Sequence, residues 1–181
     1  MNNDDEIFNQ MDYASIIGSL HYATDCTRPD IAYVVGVHSR FTSRPCRDHW
    51  LAIERVIRYL IGTKSYDLFY KKYPAVIEVF SNADLNTLSG DSFSTIGNIF
   101  TLGSGAICWK SKKQTTIANS TMEAELIALA STSEEEIWFR DLLYKIPPIL
   151  IHCDCTDAIG SVKNHFYNDK SRPIRRKHNT M

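Results

Sequence analysis

Three acidic side chains stand in contexts that could do chemistry together: Asp84 in Phe80-Ser81-Asn82-Ala83-Asp84, Glu125 in Ser120-Thr121-Met122-Glu123-Ala124-Glu125, and Asp154 in Ile151-His152-Cys153-Asp154. Carboxylates converging from separate elements hold divalent cations. Two such ions activate a water and stabilise the leaving oxygen of a phosphodiester, which is nuclease chemistry. Taken singly, the acids have plainer readings. Glu125 lies where a helix macrodipole favours an anion, and Asp154 sits where it can cap a helix starting near Thr156. Taken together, they repel one another when buried unless a cation neutralises them. Asn82 and Asp84 are two apart in an extended run, so they share a face about 7 Å apart along the strand.

The elements that must position these groups follow from periodicity. Ile16, Ile17, Leu20 and Ala23 recur at helical spacing, and Arg28-Pro29-Asp30 opens a second stretch with Ile31, Val34, Val35 and His38. A third helix carries Trp50, Ile53, Val56, Ile57 and Leu60 as a core stripe, with Asp48 as its cap and Gly62 as a left-handed stop. The period then changes to two. Strands are expected at Tyr66–Tyr70, at Val76–Ser81, and on both sides of Gly103-Ser104, with a fifth short one at Gln114–Ala118. Ser120 and Glu123 form a capping box for a helix running to about Lys145, with Leu126, Leu129, Ile137, Trp138 and Leu142 as its apolar face. Pro147-Pro148 stops it. Ile149-Leu150-Ile151 reads as a strand buried on both faces, followed by a short helix from Thr156 to about Lys163. The order implies an α/β fold, a mixed sheet covered by helices and preceded by a helical segment.

Composition excludes several classes. The 181 residues are 44% hydrophobic and 23% charged, near globular averages, so wholesale disorder is not expected. A net charge of −1 gives no global attraction to nucleic acid, and binding must come from local patches. Five cysteines, an odd number without a C-x-x-C pair, favour reduced thiols and an intracellular protein, cytoplasmic or nuclear. A zinc site of His152, Cys153 and Cys155 is not expected, because alternation along a strand turns His152 away from the two thiols. The acidic start Met-Asn-Asn-Asp-Asp-Glu is no signal peptide, and no run of about 18 apolar residues occurs, so no membrane partner is expected.

Residues 76–177 resemble the ribonuclease H domain of Copia-type (Ty1/copia, Pseudoviridae) retrotransposon polyproteins. The resemblance is carried by Phe80–Asp84, Ser94–Gly103, Ile107–Gln114, Ser120–Leu129 and Cys153-Asp154. Residues 12–70 resemble the end of the reverse transcriptase that lies upstream in those polyproteins, through Tyr13–Leu20, Thr27–Tyr33, His49-Trp50 and Arg58–Thr63. The implied layout is a disordered leader at 1–11, a reverse-transcriptase-like helical segment at 12–73, and a C-terminally truncated ribonuclease H-like domain at 74–181. The family's last helix would fall beyond Met181, and one sheet face is expected to lack its cover.

The resemblance implies metal-dependent hydrolysis of the RNA strand of an RNA:DNA hybrid, with two Mg²⁺ (or Mn²⁺) ions as cofactors and a reverse transcriptase chain as a further partner. Glu125 and Asp154 match the family's second and third acids. Its first acid falls at Asn82, with Asp84 as the nearest substitute, and its fourth falls near Arg175, where a guanidinium would repel a second cation. Weak or absent turnover is therefore expected. The alternatives are a non-catalytic module that binds nucleic acid or a partner, and a transposon remnant without function. Lys110, Lys112 and Lys113, with Arg175 and Arg176 in the tail, are the candidate phosphate contacts.

Overall fold

The structure is a computed structural model that describes residues 9–71, 76–85, 93–142 and 149–163. The chain divides into two units, Met1–Leu68 and Phe69–Met181, slightly before the break expected after residue 73.

The first unit is helical: α1 (Gln10–Cys26), a 3-10 turn at Pro29–Ile31, α2 (Ala32–His38), a second 3-10 turn at Ser39–Phe41, and α3 (Arg47–Gly62). Its core is the expected stripe, with Tyr13, Ile17, Leu20, Ile31, Val35, Ile53 and Val56 packed together. Arg28 grips Asp30 through two hydrogen bonds of 2.9 and 2.6 Å and also donates to Thr63 Oγ1 at 2.7 Å, while Tyr59 donates to Asp30 at 2.8 Å. This network ties the Pro29 turn to the end of α3.

Three details of this unit differ from expectation. Helix α1 starts at Gln10, within the expected leader, because Asn9 Oδ1 accepts the Met11 N–H at 3.0 Å; residues 1–8 lie outside the described residues. The cap of α3 is Cys46, whose N–H donates to His49 Nδ1 at 3.1 Å, while Asp48 occupies the first turn. Gly62 is the last helical residue and makes no left-handed stop; among the described residues the glycine with positive φ is Gly103.

The second unit is α/β. β1 (Ile77–Asp84), β2 (Thr95–Leu102) and β3 (Gly105–Lys113) form an antiparallel meander, α4 (Thr121–Leu142) crosses over, β4 (Leu150–His152) pairs parallel to β1, and α5 (Thr156–Lys163) follows. The sheet order is β3-β2-β1-β4. The β2–β3 turn falls at Gly103-Ser104, both with positive φ, as a twisted two-residue hairpin requires.

Segment Tyr66–Tyr70 is not a strand. Within the second unit, the Lys71 N–H donates to Gly103 O and the Tyr70 OH donates to Ala106 O, both at 2.7 Å. Segment Gln114–Ala118 is not a strand either, since buried Gln114 turns its amide to the Ala124 carbonyl at 2.9 Å and pins the entry to α4.

Helix α4 buries two faces. Ala124, Ile127 and Ala128 pack with Ile96 from the sheet, whereas Leu126 and Leu129 pack with Ala158 of α5. Trp138 and Leu142, expected in the apolar face, are exposed. β4 also departs from expectation: it pairs with β1 alone among the described residues, and all three of its residues are exposed, with Leu150 at 55%. On the sheet face away from α4, Phe80 is 45% exposed and stacks on His152 at 4.6 Å.

Candidate metal centre

β4 pairs parallel to β1 with its last residue, His152, opposite Phe80, so the chain leaving β4 runs along the C-terminal half of β1, and α4 packs against β1. Ser120 Oγ accepts the Glu123 N–H at 3.1 Å and starts the helix. The Glu123 carboxylate reaches the Asn119 N–H at 2.9 Å, one residue earlier than the reciprocal bond of a capping box. This fixes the position of Glu125, which is 6% exposed and accepts the Ala83 N–H at 2.9 Å through Oε1.

Across from it, Glu125 Oε2 faces the Cys153 thiol at 3.9 Å. Glu125, Cys153 and Asp154 each place one donor atom within 4.8 Å of the others. Asp154 is exposed and Cys153 partly so, which leaves the group open to solvent. The Glu125 carboxyl lies above the usual carboxylate range, mainly because it is buried; the Ala83 N–H opposes this and the Asp154 charge adds to it. Burial also pushes the Cys153 thiol up. Two carboxylates suit a hard cation such as Mg²⁺ or Mn²⁺, and the thiol adds a softer donor.

Of the other expected ligands, Asp84 lies outside this group of His, Cys, Asp and Glu donors. Asn82 is exposed, and the peptide that follows it supplies the Ala83 N–H to Glu125. Asp84 is partly exposed at the end of β1, beyond the three-donor group. Arg175 lies outside the described residues, as does Arg176.

The nearness of Cys153 to Glu125 was not anticipated: β4 ends at His152 and the chain bends at Asp154, so neighbouring residues 153 and 154 both come within reach of Glu125. His152 does turn away, to Phe80 and to Glu78 at 3.3 Å.

The three candidate lysines do not form one patch. Lys110 and Lys112 alternate onto the face of β3 that α4 covers, and Lys113 onto the other. Lys110 is paired with Glu135 at 2.6 Å, and that carboxylate also accepts from buried Asn98 at 3.0 Å. Lys113 sits over the Phe93 ring at 4.5 Å, and Lys112 is exposed.

A mixed sheet of this order, with a crossover helix and carboxylates at the ends of neighbouring strands, is consistent with a ribonuclease H-like α/β fold. Over 166 residues the chain is 39% identical to the Retrovirus-related Pol polyprotein from transposon TNT 1-94 of Nicotiana tabacum, covering 90% of this chain and 12% of that protein. It is 37% identical over 170 residues to that from transposon RE2 of Arabidopsis thaliana, with the same coverage. It is also 42% identical over 127 residues to Secreted RxLR effector protein 161 of Plasmopara viticola, 70% of this chain and 89% of that one. Over 90% of its length the chain is homologous to a portion of Retrovirus-related Pol polyproteins from plant Ty1/copia transposons, and it spans 12% of the length of those polyproteins. No family profile and no solved structure matches it.

Proposed function

We propose that the second unit is the ribonuclease H-like part of a Copia-type Pol polyprotein fragment, acting on the RNA strand of RNA:DNA hybrids with weakened turnover. The observation that carries this reading is the meeting of Glu125 and Asp154, from α4 and from the end of β4, at the C-terminal end of β1. When bound, divalent cations supply the activated water and stabilise the leaving 3′ oxygen. Glu125 and Asp154 hold the cation, and Asn82 or Asp84 completes the set from β1. Exposed Lys112 contacts hybrid phosphates. The site of action is intracellular, and a reverse transcriptase chain is the natural partner.

Weakness follows from charge. Asn82 offers an amide oxygen where a carboxylate would bind a dication more tightly. Asn82→Asp is therefore expected to raise Mg²⁺ affinity by about tenfold or more, since ligand charge sets affinity at oxygen sites. It is also expected to raise cleavage of a labelled hybrid above the parent's trace. If Asn82→Asp cleaves no hybrid with either Mg²⁺ or Mn²⁺, the nuclease reading fails.

One observation favours a second reading, a module that binds nucleic acid or a partner without catalysis. The chain covers 89% of a relative whose name describes a secreted effector and not a polyprotein. Hybrid binding that is unchanged by removing divalent cations supports this alternative.

A further inference from the structure

We propose that the cleft between α4, β4 and α5 binds a small amphiphilic anion, an aliphatic chain that ends in a carboxylate or a phosphate. The cleft shares only Cys153 with the cation centre, and its ligand does not depend on the nuclease reading.

The cleft follows from how the three elements pack. Ala158 of α5 is fully buried against Leu126 and Leu129, which joins the two helices at one end. Beyond that contact α4 runs on to Leu142 and carries Ser133, Ile137 and Arg140 on the same side as Leu129. Ile159, Val162 and Lys163, three and four apart on α5, form the facing wall, and Ile151 of β4 lines the cleft from the sheet. The space measures about 460 Å³. Small-molecule sites are typically about 300–1,000 Å³, mostly apolar, with a few polar groups that orient the ligand.

Two features set the ligand's chemistry. The walls are aliphatic: Leu129, Ile137, Ile151, Ile159 and Val162 supply them, and among the described residues no aromatic ring lines the cleft. A flexible aliphatic chain fits such walls, whereas a flat ring finds nothing to stack on. The mouth is cationic. Arg140 and Lys163 are both exposed there, against the single carboxylate of Glu136. Glu136 stands 3.7 Å from the Arg140 guanidinium, too far for a hydrogen bond, and among the described residues Lys163 has no ion pair. The guanidinium fork is therefore open to a carboxylate or phosphate, and the lysine adds a second positive charge beside it.

The test is calorimetric titration of the full chain with decanoate and with decyl phosphate, each below its micelle concentration. Decanol and decyltrimethylammonium carry the same chain on a neutral and a cationic head. One anion per chain is expected, bound at least about tenfold tighter than decyltrimethylammonium, and the tighter of the two anions names the headgroup. Arg140→Ala combined with Lys163→Ala changes exposed side chains only; it is expected to weaken the anion by about tenfold or more and decanol by no more than about twofold. Ile159→Trp fills the cleft and is expected to remove both, and Ile137→Trp on the facing wall gives the same reading if the first variant alters the circular dichroism spectrum. Decyltrimethylammonium binding as tightly as the anions, or anion affinity unchanged in the double alanine variant, overturns the proposal. Anion binding that survives both tryptophan variants, or no saturable binding of either anion, overturns it as well.

Discussion

Glu125 is held as a near-buried acid beside a second acid, so proton binding and folding are linked at this residue. Its folded pKa is raised, by burial first, which means that the folded state binds its proton more readily than the unfolded chain does. The stability this contributes is present below the ordinary Glu range and is lost as pH rises through the raised value. Without divalent cations, the midpoint of thermal unfolding should therefore fall as pH rises from the ordinary carboxylate range through the raised value. Glu125→Gln should flatten that part of the fall, because the amide oxygen can still accept the Ala83 N–H and carries no charge. An identical slope in the variant would show that the carboxyl is not the group responsible. The acids themselves were legible in the sequence, since Ser120–Leu129 and Cys153-Asp154 carry them in recognisable surroundings. The placement of Cys153 beside Glu125 was not legible, because it depends on where β4 ends, and a bend at Asp154 leaves no trace in hydrophobic periodicity.

At the scale of elements, the site depends on how α4 begins. Ser120→Ala removes the acceptor for the Glu123 N–H and is expected to destabilise the second unit by about 0.5–2 kcal/mol, read from the denaturant midpoint. The loss should come with weaker cation binding, since the first turns carry Glu125; a variant with the same midpoint as the parent would remove the cap from this account. The presence of α4 was readable from Ser120, Glu123 and Pro147-Pro148, but its buried faces were not. Large residues marked the stripe in the sequence, whereas the seam against the sheet is made by Ala124, Ala128 and Thr132, small side chains four apart that let the helix approach closely. Trp138 and Leu142 outweigh those residues in hydrophobicity and yet face water. β4 shows the same limit from the other side. A continuously apolar run is written for burial on both faces, yet among the described residues β4 pairs with β1 alone and is exposed.

For the whole molecule, the consequence of two units is that damage to one core need not reach the other's chemistry. The core of the first unit was read correctly from the spacing of Ile53 and Val56, because an amphipathic helix in a small bundle has one buried face and a strong 3.6-residue period. Ile53 is 2% exposed among Tyr13, Ile17, Leu20, Ile31 and Val35, a different set of residues from those around Glu125. Ile53→Ala leaves a cavity there and is expected to cost about 2–4 kcal/mol of the first unit's stability. Sites in separate cores that share no packing partners behave nearly additively, so cation affinity at Glu125 and Asp154 should stay within about twofold. Urea unfolding followed by circular dichroism reads the first quantity, and a cation titration of the same folded variant in buffer reads the second. Loss of cation binding in step with the helical signal would show instead that the two units fold as one cooperative body.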